Sequence, residues 1–246
     1  MILGVSASSL DNKQEGGWKT IHVFVGNETE GKDSPFYSSP LQAAKSHSQV
    51  GQDLTVRNLT GGVSGFFVDL AANDAVQLSN TLMLERDYGW SGLCIEPNPI
   101  YWKDLARRRC KLIAAAVGNT NNEVVNFAMM RREFGGIVGK RFDNKYQKPG
   151  TAVLHTVSLI EVFKRAHVPS VIDYMSFDVE GAETFIASSF PWNEFTVKLM
   201  TVERPDGALK AILKNDAHMV YLKTHGRFGD EMWCHESVEV AYRALL

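Results

Sequence analysis

The chain has 246 residues, of which 44% are hydrophobic and 22% charged, so it can bury a full core as one α/β domain and disorder is disfavoured. Its 26 basic and 28 acidic residues give a net charge of −2, which argues against a nucleic-acid binder and gives no reason to expect membrane binding. No apolar run approaches the roughly 20 residues of a membrane-spanning helix, and the first residues show no secretory signal.

The first 60 residues are weakly patterned. We predict that residues 1–60 form a leader and residues 61–246 the main domain. Within the leader, residues 21–25 are typical of a short strand, and the polar residues 27–39 are typical of a loop.

From residue 65 the pattern alternates between strands and helices. The apolar run 66–70 predicts a strand that is covered on both faces. Ala75, Leu78 and Leu82 follow at helical spacing, and Asn98 with Pro99 predicts the start of the next helix. Further strands are predicted at 93–96, 111–117 and 123–130, and the segment 134–150, rich in glycine and charge, is predicted to be a mobile loop or lid.

The second half of the chain continues this alternation. Ser158 and Glu161 fit a capping box at a helix start. Strands are predicted at 171–177, 197–202 and 218–222, and helices at 181–188 and 208–213. Strands that alternate with helices predict a mostly parallel sheet with right-handed crossovers, in which ligands bind beyond the carboxyl ends of the strands.

Acidic side chains stand at these predicted strand ends: Glu96, Asp178 and Glu203, with Asp69 near the end of a fourth strand. After Asp69 the chain has small residues and then a helix, so the backbone can approach a ligand closely. The phosphate-binding pattern G-x-G-x-x-G is absent, which disfavours a nicotinamide oxidoreductase. An acid followed by small residues suits a ligand with an ammonium group, and the alternative is a simple tight strand–helix connection.

Glu96 ends the second strand, one β-α-β unit after Asp69. An acid at that position can accept hydrogen bonds from both hydroxyls of a ribose. The alternative is that Glu96 caps the following helix or is a solvated strand end. Because it is paired with the Asp69 turn, we favour the ribose role.

The three cysteines are Cys94, Cys110 and Cys234. Their number is odd and none forms a C-x-x-C pair, so the sequence predicts neither a disulfide framework nor a zinc ribbon. Buried free thiols are common in apolar runs such as these. We therefore predict a reducing, cytoplasmic location.

Five ordered motifs carry a family resemblance: SQVGQD at 48–53, GFFVDLAAND at 65–74, SNT at 79–81, WSGLCIEPNP at 90–99 and SFDVEGAE at 176–183. Together they resemble the FkbM family of S-adenosylmethionine-dependent methyltransferases. The resemblance implies a Rossmann-like methyltransferase fold, with a mostly parallel seven-stranded sheet and helices on both faces. It also implies O-methylation of a hydroxyl on a sugar, glycan or small natural product.

Carried over residue by residue, the resemblance implies a cofactor site for S-adenosylmethionine. The methionine part would be held by Asp69, Ala71, Ala72, Asn73, Asp74, Ser79 and Asn80. Glu96, followed by Pro97, would hold the ribose, and Ala115 and Ala116 would lie near the adenine. Gln52 belongs to an element, upstream of the sheet, that is either structural or covers the cofactor, and we expect the leader to pack on or cover this site.

One departure from the family pattern concerns Ala71 and Ala75, which stand where the family usually has glycine. The methyl group of Ala71 narrows the space for the cofactor and disfavours a positive φ. We interpret this as a family variant. The alternative is a catalytically silent cofactor-binding or interaction module with the same fold.

The resemblance places Asp178 beside the transferred methyl group, where a carboxylate can orient the acceptor hydroxyl or take its proton. Glu180, Glu203 and His225 are further candidate bases. The alternatives are that Glu180 and Glu183 only complement a helix dipole and that His225 is a satisfied loop histidine.

The C-terminal polar residues could supply a base or a metal site. Glu203, His225, Asp230, Glu231 and His235 match no standard ligand spacing, and we assign no metal ligand. The purely structural interpretation is a polar hairpin at the entrance of the substrate site, with Trp233 packed beneath it. The predicted partner is a small-molecule or glycan acceptor, with no nucleic acid and no membrane; neither the acceptor nor the oligomeric state is predicted more closely.

Overall fold

The computed structural model describes residues 7–8, 22–24, 45–129, 134–146 and 149–246; the loop predicted at 27–39 lies outside these ranges. The helices are α1 Gln52–Leu59, α2 Leu82–Tyr88, α3 Pro99–Leu105, α4 Leu159–Ala166, α5 Glu183–Ala187, α6 Gly207–Asn215 and α7 Glu239–Arg243. The strands are β1 Ala7–Ser8, β2 His22–Phe24, β3 Phe66–Leu70, β4 Ser91–Ile95, β5 Lys111–Ala114, β6 Ala116–Gly118, β7 Val124–Ala128, β8 Gly136–Ile137, β9 Thr151–Ser158, β10 Val171–Ile172, β11 Tyr174–Phe177, β12 Thr196–Val197, β13 Leu199–Val202, β14 Met219–His225 and β15 Asp230–His235.

The main sheet has the order β1-β2-β5-β4-β3-β11-β13-β15-β14 within the described ranges. Strands β5, β4, β3, β11 and β13 are parallel, and β15 runs antiparallel between β13 and β14. The chain moves outward from β3 to β5 on one side and from β11 to β14 on the other. The predicted α/β class with a mostly parallel sheet is thus confirmed, with β1 and β2 added at one edge.

Two hydrophobic cores lie on opposite faces of the sheet because successive side chains of a strand point to opposite sides. Val68 and Leu70 of β3 enter one core, together with residues of α4, α5 and α6. Phe67 enters the other, together with residues of α1, α2 and α3. Helices therefore cover both faces, and ligand access is left at the strand ends.

A second sheet of the described residues has the order β6-β9-β7-β8. The strand predicted at 111–117 is in fact two strands, because the chain leaves the main sheet at Ala115 and Ala116 then pairs with Thr156 of β9. Strand β9 was not predicted, and the loop predicted at 134–150 contains β8. The strand predicted at 123–130 is confirmed as Val124–Ala128, antiparallel to β9.

The helix predicted from Ala75 begins later, at Leu82. Asp74 Oδ1 accepts hydrogen bonds from the backbone N–H groups of Val76 (2.9 Å) and Gln77 (2.8 Å), so this stretch forms a side-chain-capped turn instead. The predicted cap of α3 is confirmed, since Asn98 Oδ1 accepts from Ile100 N at 3.2 Å.

The capping box predicted at residue 158 is wrong. Ser158 precedes α4 without a side-chain cap, and Glu161 instead pairs with Arg165 at 2.6 Å.

The strand predicted at 171–177 is interrupted at Asp173. The Asp173 carboxylate accepts a hydrogen bond from Phe66 N (2.8 Å) and pairs with Lys198 (2.9 Å).

Cys94 of β4 and Cys110, just before β5, form a disulfide with a Cα–Cα distance of 5.9 Å. The expectation of free thiols is therefore wrong for this pair, because the parallel pairing of β4 and β5 brings together two cysteines that the sequence separates by a helix. Cys234 is free and buried. A cytoplasmic location stays a prediction, without support from these two residues.

In the described part of the chain, no helix has both the length and the apolar character needed to cross a membrane.

Candidate active site

The carboxyl ends of four neighbouring parallel strands meet in one row. Leu70 of β3 lies between Ile95 of β4 and Phe177 of β11, and Phe177 is next to Val202 of β13. The next residue of each strand is therefore Glu96, Ala71, Asp178 and Glu203, in that order across the sheet. The acids that the sequence placed at strand ends do converge on one edge, at the point where the strand order reverses.

A cleft open to solvent lies above this row. Its walls contain most of the residues that the sequence predicted for the site: Gln52, Asp69, Ala71, Ala72, Asn73, Asn80, Glu96, Pro97, Asp178, Glu180 and Glu203. The structure thus joins most of the predicted cofactor residues and three of the four predicted catalytic residues in one space.

Glu96 is held rigidly at one end of the cleft. Its Oε2 accepts from Asn73 N at 2.8 Å and its Oε1 accepts from Asn98 N at 2.7 Å. Burial raises the pKa of Glu96 to about 7, although these two backbone hydrogen bonds oppose the shift. Because an ionised carboxylate offers about four acceptor positions, two remain for a ligand that enters the cleft.

Asp69 anchors the floor of the cleft. Its Oδ2 accepts from Thr81 Oγ1 at 2.5 Å, and burial raises its pKa while the charge of Arg108 opposes this shift. Close by, Asn80 Nδ2 donates to Ser176 Oγ at 2.9 Å. Asn80 Oδ1 is buried and has no hydrogen-bond partner among the residues described, so it is available to a donor on a ligand.

Four residues that line this cleft have a left-handed backbone. Ala71 has a φ of 66°, Asn73 of 53°, Leu78 of 61° and Glu180 of 57°, and all four line the cleft. Left-handed backbone at residues other than glycine is costly and persists where the surrounding structure enforces it. The positive φ that the sequence made unfavourable at Ala71 is therefore present.

Replacing Ala71 by glycine is expected to stabilise the free protein. The change removes a left-handed penalty of about 1–2 kcal/mol, partly offset by the greater freedom of glycine in the unfolded chain, about 0.4–1 kcal/mol. Thermal unfolding should show a midpoint about 2–4 °C higher for each kcal/mol gained. Ala72→Gly is the matched control, because Ala72 has no positive φ, and it should lower the midpoint. A lower midpoint for Ala71→Gly would contradict the strain argument.

Five predicted residues lie outside the walls of this cleft. Asp74 caps its own turn, and Ser79 Oγ accepts from Leu82 N (3.1 Å) and from buried Arg108 (3.1 Å), so both have structural partners. Ala115 lines a smaller apolar pocket, which shares Ala71 and Pro97 with the cleft. The remaining two are Ala116, buried in β6, and His225.

His225 ends β14 and is 4% exposed. It hydrogen-bonds the backbone of Val50, and burial, followed by the charge of Lys223, lowers its pKa. Its Nε2 has no partner among the residues described. His225 is next to Asp230 across the β14–β15 pair, so it lies in the strand-end row beyond Glu203. Its catalytic role stays a prediction.

The other end of the cleft is strongly acidic. Burial, then the charges of Glu203, Glu180 and Glu183, raises the pKa of Asp178 well above its usual range. Burial and the Glu203 charge raise the pKa of Glu180 to about 8, and burial raises that of Glu183 to about 7. Glu183 Oε1 also accepts from Val179 N at 2.9 Å, in the turn that precedes α5. Glu180, in contrast, lines the cleft.

Several residues of the cleft were not among the predicted site residues: Gln49, Leu78, Asn98, Phe127, Phe134, Gly135 and Ser176. Gln49 and Ser176 belong to motifs of the family resemblance, so that signal was present in the sequence. Phe127 comes from β7 of the second sheet, and no local pattern indicates that this sheet reaches the cleft.

The segment 134–146 lies over the acidic end of the cleft. Asn144 is 3% exposed, and its Nδ2 donates to the backbone oxygen of Phe134 at 3.1 Å. Asp143 N donates to the backbone oxygen of Glu180 at 3.1 Å. The segment is thus placed where a lid would act, and its mobility stays a prediction.

Amides 139–142 are expected to exchange hydrogen at least about 100-fold faster than those of Phe66–Leu70 in the free protein, since they lie in a turn outside the helices and the sheets, where local opening costs less free energy. Ligand binding in the cleft should slow exchange at 139–142. Hydrogen-exchange mass spectrometry measures both effects. Equal rates in the two segments, with and without ligand, would contradict the lid prediction.

The strand order, the crossovers and a cleft beyond the strand ends define a Rossmann-like α/β methyltransferase domain. The model of the methyltransferase FkbM domain matches residues 69–226. The chain therefore belongs to the FkbM methyltransferase family, as the sequence motifs indicated.

Solved structures similar to this chain include two methyltransferases. The METTL16 MTase domain is 11% identical with a TM-score of 0.42, over 74% of this chain and 64% of that chain. Precorrin-6y C5,15-methyltransferase from Geobacter metallireducens GS-15 is 12% identical with a TM-score of 0.37, over 79% of this chain and 90% of that chain. The chain thus spans less than two thirds of the METTL16 structure. No curated protein sequence matches.

Proposed function

We propose that this protein transfers a methyl group from S-adenosylmethionine to a hydroxyl oxygen of a sugar, glycan or small natural product. The observation that carries the proposal is the way carboxylates are distributed along one row of strand ends in the cleft. A hydrogen-bonded carboxylate, Glu96, stands at one end, and proton-accepting carboxylates stand at the other. The first suits a ribose diol and the second a hydroxyl acceptor.

The residues present fit this cofactor. Glu96 has two free acceptor positions for the ribose hydroxyls, and the unpaired Asn80 Oδ1 suits the ammonium group of the methionine part. The apolar pocket that includes Ala115, Leu70 and Ile95 suits a flat apolar ring such as adenine. Asp69 adds negative charge beneath the cleft, which favours a cofactor that carries positive charge.

When bound, S-adenosylmethionine supplies an electrophilic methyl group on a positively charged sulfur. The chain contributes position and proton transfer. Glu96, Asn80 and Ser176 fix the cofactor, and Asp178 faces the acceptor end, where its carboxylate can take the hydroxyl proton. Glu180 and Glu203 are placed to accept hydrogen bonds from further hydroxyls of the acceptor. Holding the acceptor in line with the methyl group supplies most of the acceleration.

Two measurements test this proposal. Calorimetry should show binding of S-adenosylmethionine and no binding of NAD, and a screen of glycans and hydroxylated small molecules with labelled cofactor should yield a methyl ether. Cofactor binding without transfer to any acceptor would support the silent-module alternative. Binding of NAD in place of the sulfonium cofactor, or methylation of nitrogen only, would contradict the proposal.

Cofactor affinity is expected to depend on pH through Glu96. Its pKa is raised to about 7 by burial, and ribose hydroxyls donate to the ionised carboxylate, so binding favours the deprotonated form. Affinity should therefore fall as the pH drops below 7 and be about tenfold weaker at pH 6 than at pH 8. Calorimetry at both pH values measures this. Glu96→Gln should remove most of the difference, and an unchanged pH dependence in that variant would contradict the assignment.

A further inference from the structure

Five carboxylates crowd the acceptor end of the cleft: Asp143, Asp178, Glu180, Glu183 and Glu203. Oxygen atoms of Asp178, Glu183 and Glu203 lie within 4.8 Å of one another, and so do those of Asp143, Glu180 and Glu203. Glu203 is common to both groups. The side chains come from β11, the start of α5, the end of β13 and the lid segment, so four separate parts of the fold converge here.

The positive charge beside these carboxylates is small. Arg204 pairs with Asp143 at 2.5 Å and with Glu203 at 2.7 Å, on the outer side, and its side chain is 50% exposed. In the described ranges, Asp178 and Glu183 make no ion pair with a lysine, arginine or histidine. The inner group of Asp178, Glu183 and Glu203 therefore concentrates negative charge that only Arg204 offsets, and only at Glu203.

An independent observation comes from the neighbouring strand β15. Asp230 is 4% exposed, and its Oδ2 is buried without a hydrogen-bond partner among the described residues. Val202 is opposite Glu231 in the antiparallel β13–β15 pair, so Asp230 is opposite Glu203, on the same side of the sheet. A fourth carboxylate with an unsatisfied oxygen thus lies next to Glu203. Leaving such an oxygen unpaired is costly unless a ligand approaches it.

We infer that Asp178, Glu183 and Glu203 bind a hard divalent cation of the Mg²⁺ class, with Asp230, next to Glu203, as the partner of a coordinated water. The donor set consists of carboxylate oxygens, without cysteine or histidine, and such a set favours Mg²⁺, Mn²⁺ or Ca²⁺ over Zn²⁺. Because Asp178 and Glu203 line the cleft, the ion's open positions face the acceptor. The ion would then hold two neighbouring oxygens of a hydroxylated acceptor. This role in acceptor binding rests on the proposed function, but the existence of the cation site does not depend on it.

The test is Mn²⁺ binding to the full chain without cofactor or acceptor, measured by electron paramagnetic resonance of the free ion. One Mn²⁺ should bind per chain, and Mg²⁺ or Ca²⁺ should displace it. Glu203→Gln should weaken binding by at least about tenfold. Glu194→Gln is the matched control, since Glu194 is an exposed glutamate outside the cluster, and it should bind as the parent does.

Absence of saturable Mn²⁺ binding up to about 1 mM, the weak end of protein sites for such ions, would overturn the inference. Parental affinity in Glu203→Gln would also overturn it. Should Glu203→Gln fail to fold, Asp178→Asn provides the same comparison. If methylammonium stabilises the fold and Mn²⁺ does not, the cluster binds a cationic organic group and the inference of a metal site is overturned. Mn²⁺ binding without S-adenosylmethionine binding would leave this site standing while the proposed function fails.

Discussion

Asp178→Asn is expected to lower the rate of methyl transfer by about 10²–10⁴-fold, the usual contribution of a positioned general base. A hydroxyl is a poor nucleophile at neutral pH, and Asp178 is the carboxylate that the row of strand ends places next to Ala71, at the centre of the cleft. Burial and the charges of four neighbouring carboxylates raise its pKa in the free protein. Asparagine keeps the shape and removes the basic oxygen, so cofactor affinity should remain near that of the parent.

The measurement is single-turnover methyl transfer at saturating cofactor, once an acceptor is known. Asp216→Asn is the matched control, because Asp216 is an exposed aspartate at the end of α6. A near-parental rate for Asp178→Asn would mean that catalysis is positioning alone, or that Glu180 or Glu203 is the base. His225→Ala belongs in the same series. A comparable loss of rate in His225→Ala would mean that His225 reaches the acceptor, although it does not line the cleft.

Glu96→Ala is expected to weaken binding of S-adenosylmethionine by about 2–4 kcal/mol, which corresponds to roughly 30- to 900-fold in affinity. The ribose would lose two hydrogen bonds to a charged acceptor. The backbone N–H groups of Asn73 and Asn98 would lose their acceptor as well, so the loop itself would loosen.

Calorimetric titration with S-adenosylmethionine gives this difference directly. Glu96→Gln separates the two contributions, because its amide oxygen can still accept one backbone hydrogen bond, and it should fall between Glu96→Ala and the parent. An affinity of Glu96→Ala within threefold of the parent would remove Glu96 from the ribose site. Thermal unfolding of Glu96→Ala without cofactor shows whether its weaker binding comes mainly from the loosened loop or from the lost cofactor contact.

The central strands and their acids were predictable because local pattern and tertiary structure agree there. The apolar runs around Phe67 and Leu93 are buried on both faces, and such strands show in a single stretch of sequence. Once these strands were taken as parallel and neighbouring, Glu96, Asp178 and Glu203 had to share an edge. The convergence at the site thus follows from strand alternation alone.

The parts that were missed depend on contacts between distant residues. Strand β9 is partly exposed over its first half, so its pattern is weak, and its pairing partners in β6 and β7 lie 23 to 40 residues away in the chain. The start of α2 was misplaced because Asp74 captures two backbone N–H groups, an outcome that hydrophobic spacing does not report. Likewise, the unpaired oxygen of Asp230 becomes apparent only when β15 is seen beside β13.

The Cys94–Cys110 disulfide turns the segment that contains Glu96, Pro97 and α3 into a covalent ring. With a sequence separation of 16, loop-closure entropy removed from the unfolded chain corresponds to about 3 kcal/mol. The strand that leads to Glu96 therefore stays tethered to β5 even when α3 opens locally. Helix α3 can then fluctuate while the disulfide still holds the chain closed, so that the Glu96 carboxylate returns to the edge of the sheet.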